Sequence, residues 1–228
     1  MGNAESKNGL SLRRASLTAG LALLLMAVLA PFAEFYVIPE LIYLNDPAAT
    51  AAALTVEDGL YRSGVLSYLI VVILDILVAW GLYVVLKPVN AGLSLLSAWF
   101  RLVYSALFGA AIMELAKVLP IIEGTPPVGF GEEIVALVRD FYAGWEAALI
   151  FFAFHLLILG YLIYKADYFP KLLGILVAIA GLGYLVDGIG NILVPAYSAD
   201  IAIYTFIGEL LLIFWLIWKG LGKGRAPE

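Results

Sequence analysis

Residues 64–86 read GVLSYLIVVILDILVAWGLYVVL, an apolar run with a single charge, Asp75, near its middle. A helix rises about 1.5 Å per residue, so this run is long enough to cross a hydrocarbon core of roughly 30 Å. Lipid offers no partners to backbone N–H and C=O groups, so a run that crosses it must be helical. A charge near the bilayer centre costs roughly 2.5–3.5 kcal/mol on insertion scales. Asp75 is therefore expected to face other helices and to be a candidate for function.

Five more runs of the same kind flank this one, near Leu17–Ile38, Gly92–Leu119, Phe141–Tyr164, Leu172–Val194 and Ile201–Gly220. The chain is 64% hydrophobic and only 14% charged. A soluble domain would stand near 45–50% and about 25%. The expectation is an all-α polytopic membrane protein, a single bundle of six transmembrane helices over residues 17–220. Residues 1–16 and 221–228 form polar tails. The lipid bilayer is its first partner, and the oligomeric state is left open.

Basic residues sort by side. With a cytoplasmic N-terminus, Lys7, Arg13, Arg14, Lys87, Lys165, Lys171, Lys219, Lys223 and Arg225 fall inside, and only Arg62, Lys117 and Arg139 fall outside. That bias follows the positive-inside rule and predicts a cell-membrane protein with both termini cytoplasmic. The first run is too long for a signal-peptide core. Met1–Ser6 matches a myristoylation pattern, but one acyl chain adds little to six spans. No basic stripe suggests nucleic acid.

Cysteine is absent, which removes disulfides, thiolate metal sites and thiol nucleophiles. One histidine, His155, cannot supply a three-histidine zinc site or a two-histidine haem site. No cofactor and no metal are expected. Nucleophilic catalysis lacks a recognisable hydrolase elbow around Ser67 or Ser105.

Local signals refine the outline. Pro31 is expected to kink the first helix near Ala27–Pro31 and turn Glu34 toward neighbours. Asp46-Pro47 reads as N-cap and first helical residue of a short helix over the outer face. Thr55-Val56-Glu57-Asp58 reads as a capping box leading to the second span. Gly174, Gly181 and Gly188 recur every seven residues, as small residues do where helices pack closely in lipid. Tyr36, Trp99, Trp145, Trp215 and Trp218 read as interface anchors.

Several strings stand in a characteristic order: Asp46-Pro47-Ala48-Ala49-Thr50, Tyr61-Arg62-Ser63-Gly64, Asp75 with Leu82-Tyr83, Lys87-Pro88-Val89-Asn90 and Phe100-Arg101-Leu102. They continue with His155, Gly160-Tyr161-Leu162-Ile163, Tyr168-Phe169-Pro170 with Leu172–Gly174, and Gly181-Leu182-Gly183-Tyr184-Leu185. From about Arg14 to Gly220 the chain resembles a prokaryotic family of six-helix membrane proteins catalogued as domain-of-unknown-function family 4386. The resemblance implies six helices. It brings neither catalytic residues nor a substrate.

All six runs carry a carboxylate. By depth, Asp75, Arg101, His155 and Glu209 fall near the midplane, and Glu34, Glu114, Glu146 and Asp187 in the outer third. Six acids against one arginine cannot all be ionised and paired, so some hold a proton, hold a cation or reach water from the outside. Ser94, Ser97, Arg101 and Ser105 share a helical face, which turns Arg101 inward. Glu114 lies about 220° away at about 100° per residue. Tyr184, Asp187 and Asn191 share another face. The midplane set reads as a proton or ion relay, or as an Arg101–Asp75 pair that only fixes packing. The outer set, with Asn191, reads as a site for a cation or amine-bearing solute, or as a wet funnel. The leading expectation is a small proton- or cation-coupled transporter. Alternatives are a membrane-embedded enzyme using paired carboxylates and a non-catalytic partner or sensor subunit.

Overall fold

The computed structural model describes residues 2–123 and 129–222, with side chains described from residue 12 onward. The Pro126-Pro127 turn, Lys223, Arg225 and Met1 lie outside the described residues, as do the side chains of the acylation pattern.

Helix follows helix: α1 (Gly2–Phe32), a π-helical turn (Ala33–Val37), α2 (Ile38–Leu41), α3 (Pro47–Val56), α4 (Asp58–Leu86), α5 (Ala91–Glu123), α6 (Phe130–Lys165), α7 (Lys171–Leu193), α8 (Ala202–Thr205) and α9 (Ile207–Gly220). No strand occurs among the described residues. Six helical stretches are long and apolar enough to cross a membrane: Leu12–Leu41, Asp58–Leu86, Ala91–Glu123, Phe130–Lys165, Lys171–Leu193 and Ala202–Gly220. The fold is an all-α polytopic membrane bundle, as the apolar runs require.

The helices outrun their apolar cores. The second starts at Asp58 rather than Gly64, and the fourth at Phe130 rather than Phe141, because polar first turns continue the helix beyond its apolar part. The stretch read as an N-terminal tail is helical from Gly2. Pro31 does not break the first helix at Ala27–Pro31. The irregularity comes just after it, where the Ile38 N–H reaches back to the Ala33 carbonyl and opens a π turn around Glu34.

Asp46 caps α3, its carboxylate accepting from the Ala49 N–H at 3.0 Å. Thr55 is not a cap: its hydroxyl donates to the Ala51 carbonyl at 2.7 Å, inside α3.

The chain forms two compact units. One holds Met1–Leu24, Leu74–Ser105 and Glu146–Glu228, and the other Leu25–Ile73 and Ala106–Trp145. In the first, the glycine stripe of α7 lies flat on α6. A methyl group at Gly174 would stand 2.5 Å from the Tyr164 nitrogen, and one at Gly181 3.0 Å from the Ala153 oxygen. Gly208, at the start of α9, lies against the α7 backbone, with the Leu176 carbonyl carbon 2.5 Å from where a β-carbon would be. The second unit centres on Tyr68, Phe108 and Phe141, each buried, with Trp145 completing the ring cluster.

Candidate functional site

The serine face of α5 is buried throughout: Ser94, Ser97, Arg101 and Ser105 are each 3% exposed or less. Arg101 is therefore turned inward, where its guanidinium bridges two partners. Nη2 stands 2.5 Å from Asp75 Oδ1, and Nη1 stands 3.2 Å from His155 Nε2. Phe152 lies under the guanidinium, 5.3 Å from ring centroid to Cζ.

His155 is fixed from both sides. Nδ1 stands 2.9 Å from the Ser97 carbonyl oxygen, which only accepts, so Nδ1 carries the proton. Arginine only donates, so Nε2 offers its lone pair to Arg101. The ring is therefore the neutral Nδ1–H tautomer. The Ser97 hydroxyl returns a bond to the His155 carbonyl at 3.2 Å, locking α5 to α6.

Asp75 is completely buried. Its contact with Arg101 is close but poorly aligned: neither carboxylate oxygen meets hydrogen-bond geometry, and Arg101 Nε is also unsatisfied. The separation and the opposite charges establish the ion pair. Glu209 lies within electrostatic range of both Arg101 and Asp75 and faces the Tyr184 hydroxyl, while its Oε1 is buried without a partner. The sixth span breaks at Phe206 between α8 and α9, so Glu209 sits in the first turn of a half-helix. The space beneath His155, lined by Ser94, Ser97, Tyr83 and Leu159 among others, is too small to admit water.

The remaining acids have local settings. In the second unit, Glu34 on the π turn accepts from the Tyr68 hydroxyl at 2.5 Å and the Tyr142 hydroxyl at 3.0 Å. Glu114 pairs with Lys117, Oε2 to Nζ at 2.6 Å. In the first unit, Asp187 Oδ1 accepts from the Tyr197 hydroxyl at 2.8 Å and the Ile201 N–H at 2.9 Å. Its Oδ2 accepts from the Ala202 N–H at 2.6 Å, capping α8. The preceding turn needs this support, because Ala196 and Asp200 hold φ of 57° and 46°. Glu146 is exposed and within electrostatic range of Asp200. Asn191 is exposed.

Two groups outside the spans are shifted. Burial pushes the Tyr168 hydroxyl up to about 12, and it donates to the Val85 carbonyl at 2.6 Å. Tyr197 is raised by its bond to the Asp187 carboxylate. Among the described residues no three histidine, aspartate or glutamate side chains gather as a metal site.

Sequence reasoning missed the partners rather than the charges. Tyr68 and Tyr142 meet Glu34 from positions 34 and 108 residues away, and no local pattern signals such a meeting. Ser97 was placed on the Arg101 face, but its double engagement with His155 depends on how α5 meets α6. Trp145 is not simply an interface anchor: it packs on Tyr68, Phe108 and Phe141.

An all-helical chain with six apolar spans and buried charges in them is a multi-pass integral membrane protein. The chain belongs to the family described as "Domain of unknown function (DUF4386)", whose profile matches residues 18–220. It is also 36% identical over 151 residues to an uncharacterised protein of Archaeoglobus fulgidus (strain ATCC 49558 / DSM 4304 / JCM 9628 / NBRC 100126 / VC-16), covering 66% of this chain and 80% of that one. No solved structure matches it.

Proposed function

We propose that this protein is a small proton-coupled carrier of the cell membrane, with Asp75, Arg101, His155 and Glu209 as its proton-exchange centre. The observation that carries this reading is a charge balance. Two acids face one fixed cation and one neutral histidine, so the cluster is neutral only when one acid holds a proton. Arg101 engages Asp75, which leaves the proton to Glu209. Glu209 follows the turn at Phe206 where the sixth span is interrupted, and carriers place exchange groups at interrupted helices. Asp75, Arg101 and His155 are sealed from solvent, as they would be in an intermediate of alternating access. The bias of basic residues supports a cytoplasmic position for both termini.

A second reading draws on the same occlusion. A sealed Arg101–Asp75 pair also suits a partner or sensor subunit whose charges only specify packing. Asp75 is paired with a guanidinium, which favours either reading over a paired-carboxylate enzyme.

Purified protein in liposomes, loaded with a pH-sensitive dye and given a proton gradient, separates them. A carrier conducts protons, and Glu209→Gln abolishes the flux. A vesicle no leakier than protein-free liposomes leaves the partner reading.

A further inference from the structure

The first unit carries an apolar groove that the proton centre does not use. It measures about 420 Å³ and is lined by Pro170, Leu172, Leu173 and Leu176 of the α7 side and by Leu211, Phe214, Trp215 and Trp218 of α9. Leu172 and Phe214 on its walls are 65% and 64% exposed, so the groove opens sideways toward the bilayer. Its end is polar in a particular way. Lys171 is exposed at the first position of α7, its Nζ 5.7 Å from the Tyr164 ring centroid. The cap position of α7 is Pro170, which provides no side-chain cap, so the first N–H groups of a helix running to Leu193 have no side-chain acceptor. Trp215 adds an indole N–H that is buried and has no hydrogen-bond partner.

We infer that this groove is a specific site for an anionic phospholipid, with one acyl chain laid between α7 and α9 and the phosphate at the Lys171 end. The apolar lining accommodates a hydrocarbon chain without any polar cost. The Lys171 cation at the rim is a donor, and no acid lines the groove. A helix N-terminus favours a phosphate through its amides and its dipole. Basic residues between transmembrane helices recognise anionic headgroups, each worth about fivefold in affinity near the surface. A zwitterionic lipid supplies the same chains and a phosphate, but its choline cation meets Lys171 unfavourably. The site therefore selects by charge as well as by fit. This inference is independent of proton exchange.

Trp215 and Trp218 line the groove, and they report on it alone once Trp80, Trp99 and Trp145, which lie elsewhere, are replaced by phenylalanine in every protein compared. The delipidated protein is reconstituted in vesicles of phosphatidylcholine doped with either phosphatidylglycerol or phosphatidylcholine brominated along its acyl chains, and tryptophan quenching is titrated. Brominated phosphatidylglycerol is expected to quench at severalfold lower mole fraction than brominated phosphatidylcholine. Lys171→Gln, an exposed change that leaves the packing intact, should cut this preference about fivefold. Leu211→Phe should narrow the groove and weaken quenching by both lipids, with circular dichroism confirming that the variant is folded. Equal quenching by the two lipids in the unsubstituted protein overturns the inference. So does a preference for phosphatidylglycerol that survives Lys171→Gln undiminished.

Discussion

Arg101 and His155 meet through Nη1 and Nε2 at 3.2 Å, with the guanidinium as donor and the neutral ring as acceptor. A second proton on the ring would set N–H against N–H and break the contact. His155 is thus an orienting group for Arg101. It holds the guanidinium in the position from which Nη2 reaches Asp75. In isotope-labelled protein, the nitrogen resonances of His155 should report the Nδ1–H tautomer. Ser97→Ala should leave the tautomer unchanged, because the Ser97 carbonyl is the acceptor, and cost about 1 kcal/mol for the lost hydroxyl bond.

Removing one member of the ion pair should be far more costly than removing both. Arg101→Ala leaves Asp75 buried and uncompensated, and a loss of about 3–5 kcal/mol is expected. Replacing both by apolar residues of similar size should recover most of that loss. Thermal unfolding of the two variants in one detergent tests this. Equal losses for the single and double replacements would show that the pair is not acting as a pair.

Gly208 sets how closely α9 approaches α7 at the break. A β-carbon there would lie 2.5 Å from the Leu176 carbonyl carbon, so Gly208→Ala must push the half-helix away. A loss of about 1–3 kcal/mol is expected from overpacking. The variant should also disturb Glu209, its sequence neighbour, and so slow proton flux. Full stability and full flux in Gly208→Ala would mean that the break is loosely packed.

Tyr168 gives a pH signature outside the spans. Its folded-state value, about 12, lies above the ordinary value of 10. A group raised in the folded state contributes stability below its unfolded value and loses it as pH rises through the folded one. Stability in detergent should therefore fall between pH 10 and about 12, and Tyr168→Phe should flatten this part of the profile.

Sidedness follows from the basic bias. Single cysteines at Lys87, in the turn between α4 and α5, and at Ser198, between α7 and α8, are both exposed. An impermeant thiol reagent applied outside intact cells should label Ser198→Cys and spare Lys87→Cys. Labelling of both from one side contradicts the six-span topology.

Six apolar runs made the number of helices legible, because composition and length alone decide which segments cross lipid. The serine stripe through Ser94, Ser97 and Ser105 made the inward face of Arg101 legible, since helical phase is local. What was not legible needed tertiary placement. The π turn at Ala33–Val37 follows Pro31 rather than preceding it, and the proline alone does not say how the freed carbonyls will be satisfied. The break at Phe206 has no proline to announce it. It shows only where Gly208 and Gly183 let α8 and α9 close on α7. Tyr184 and Asp187 share a face of α7, yet one turns to Glu209 and the other caps α8, because the returning chain lays α8 and then α9 along that face.

In the proposed exchange centre, Asp75, Glu209 and Arg101 hold a single proton, carried by Glu209. Infrared spectroscopy of the purified protein at neutral pH, in ordinary and heavy water, tests it directly. The account predicts one protonated-carboxyl band, shifted by deuterium, that is lost in Glu209→Gln and kept in Glu114→Gln. A spectrum with the same bands in the unsubstituted protein and in Glu209→Gln would contradict it.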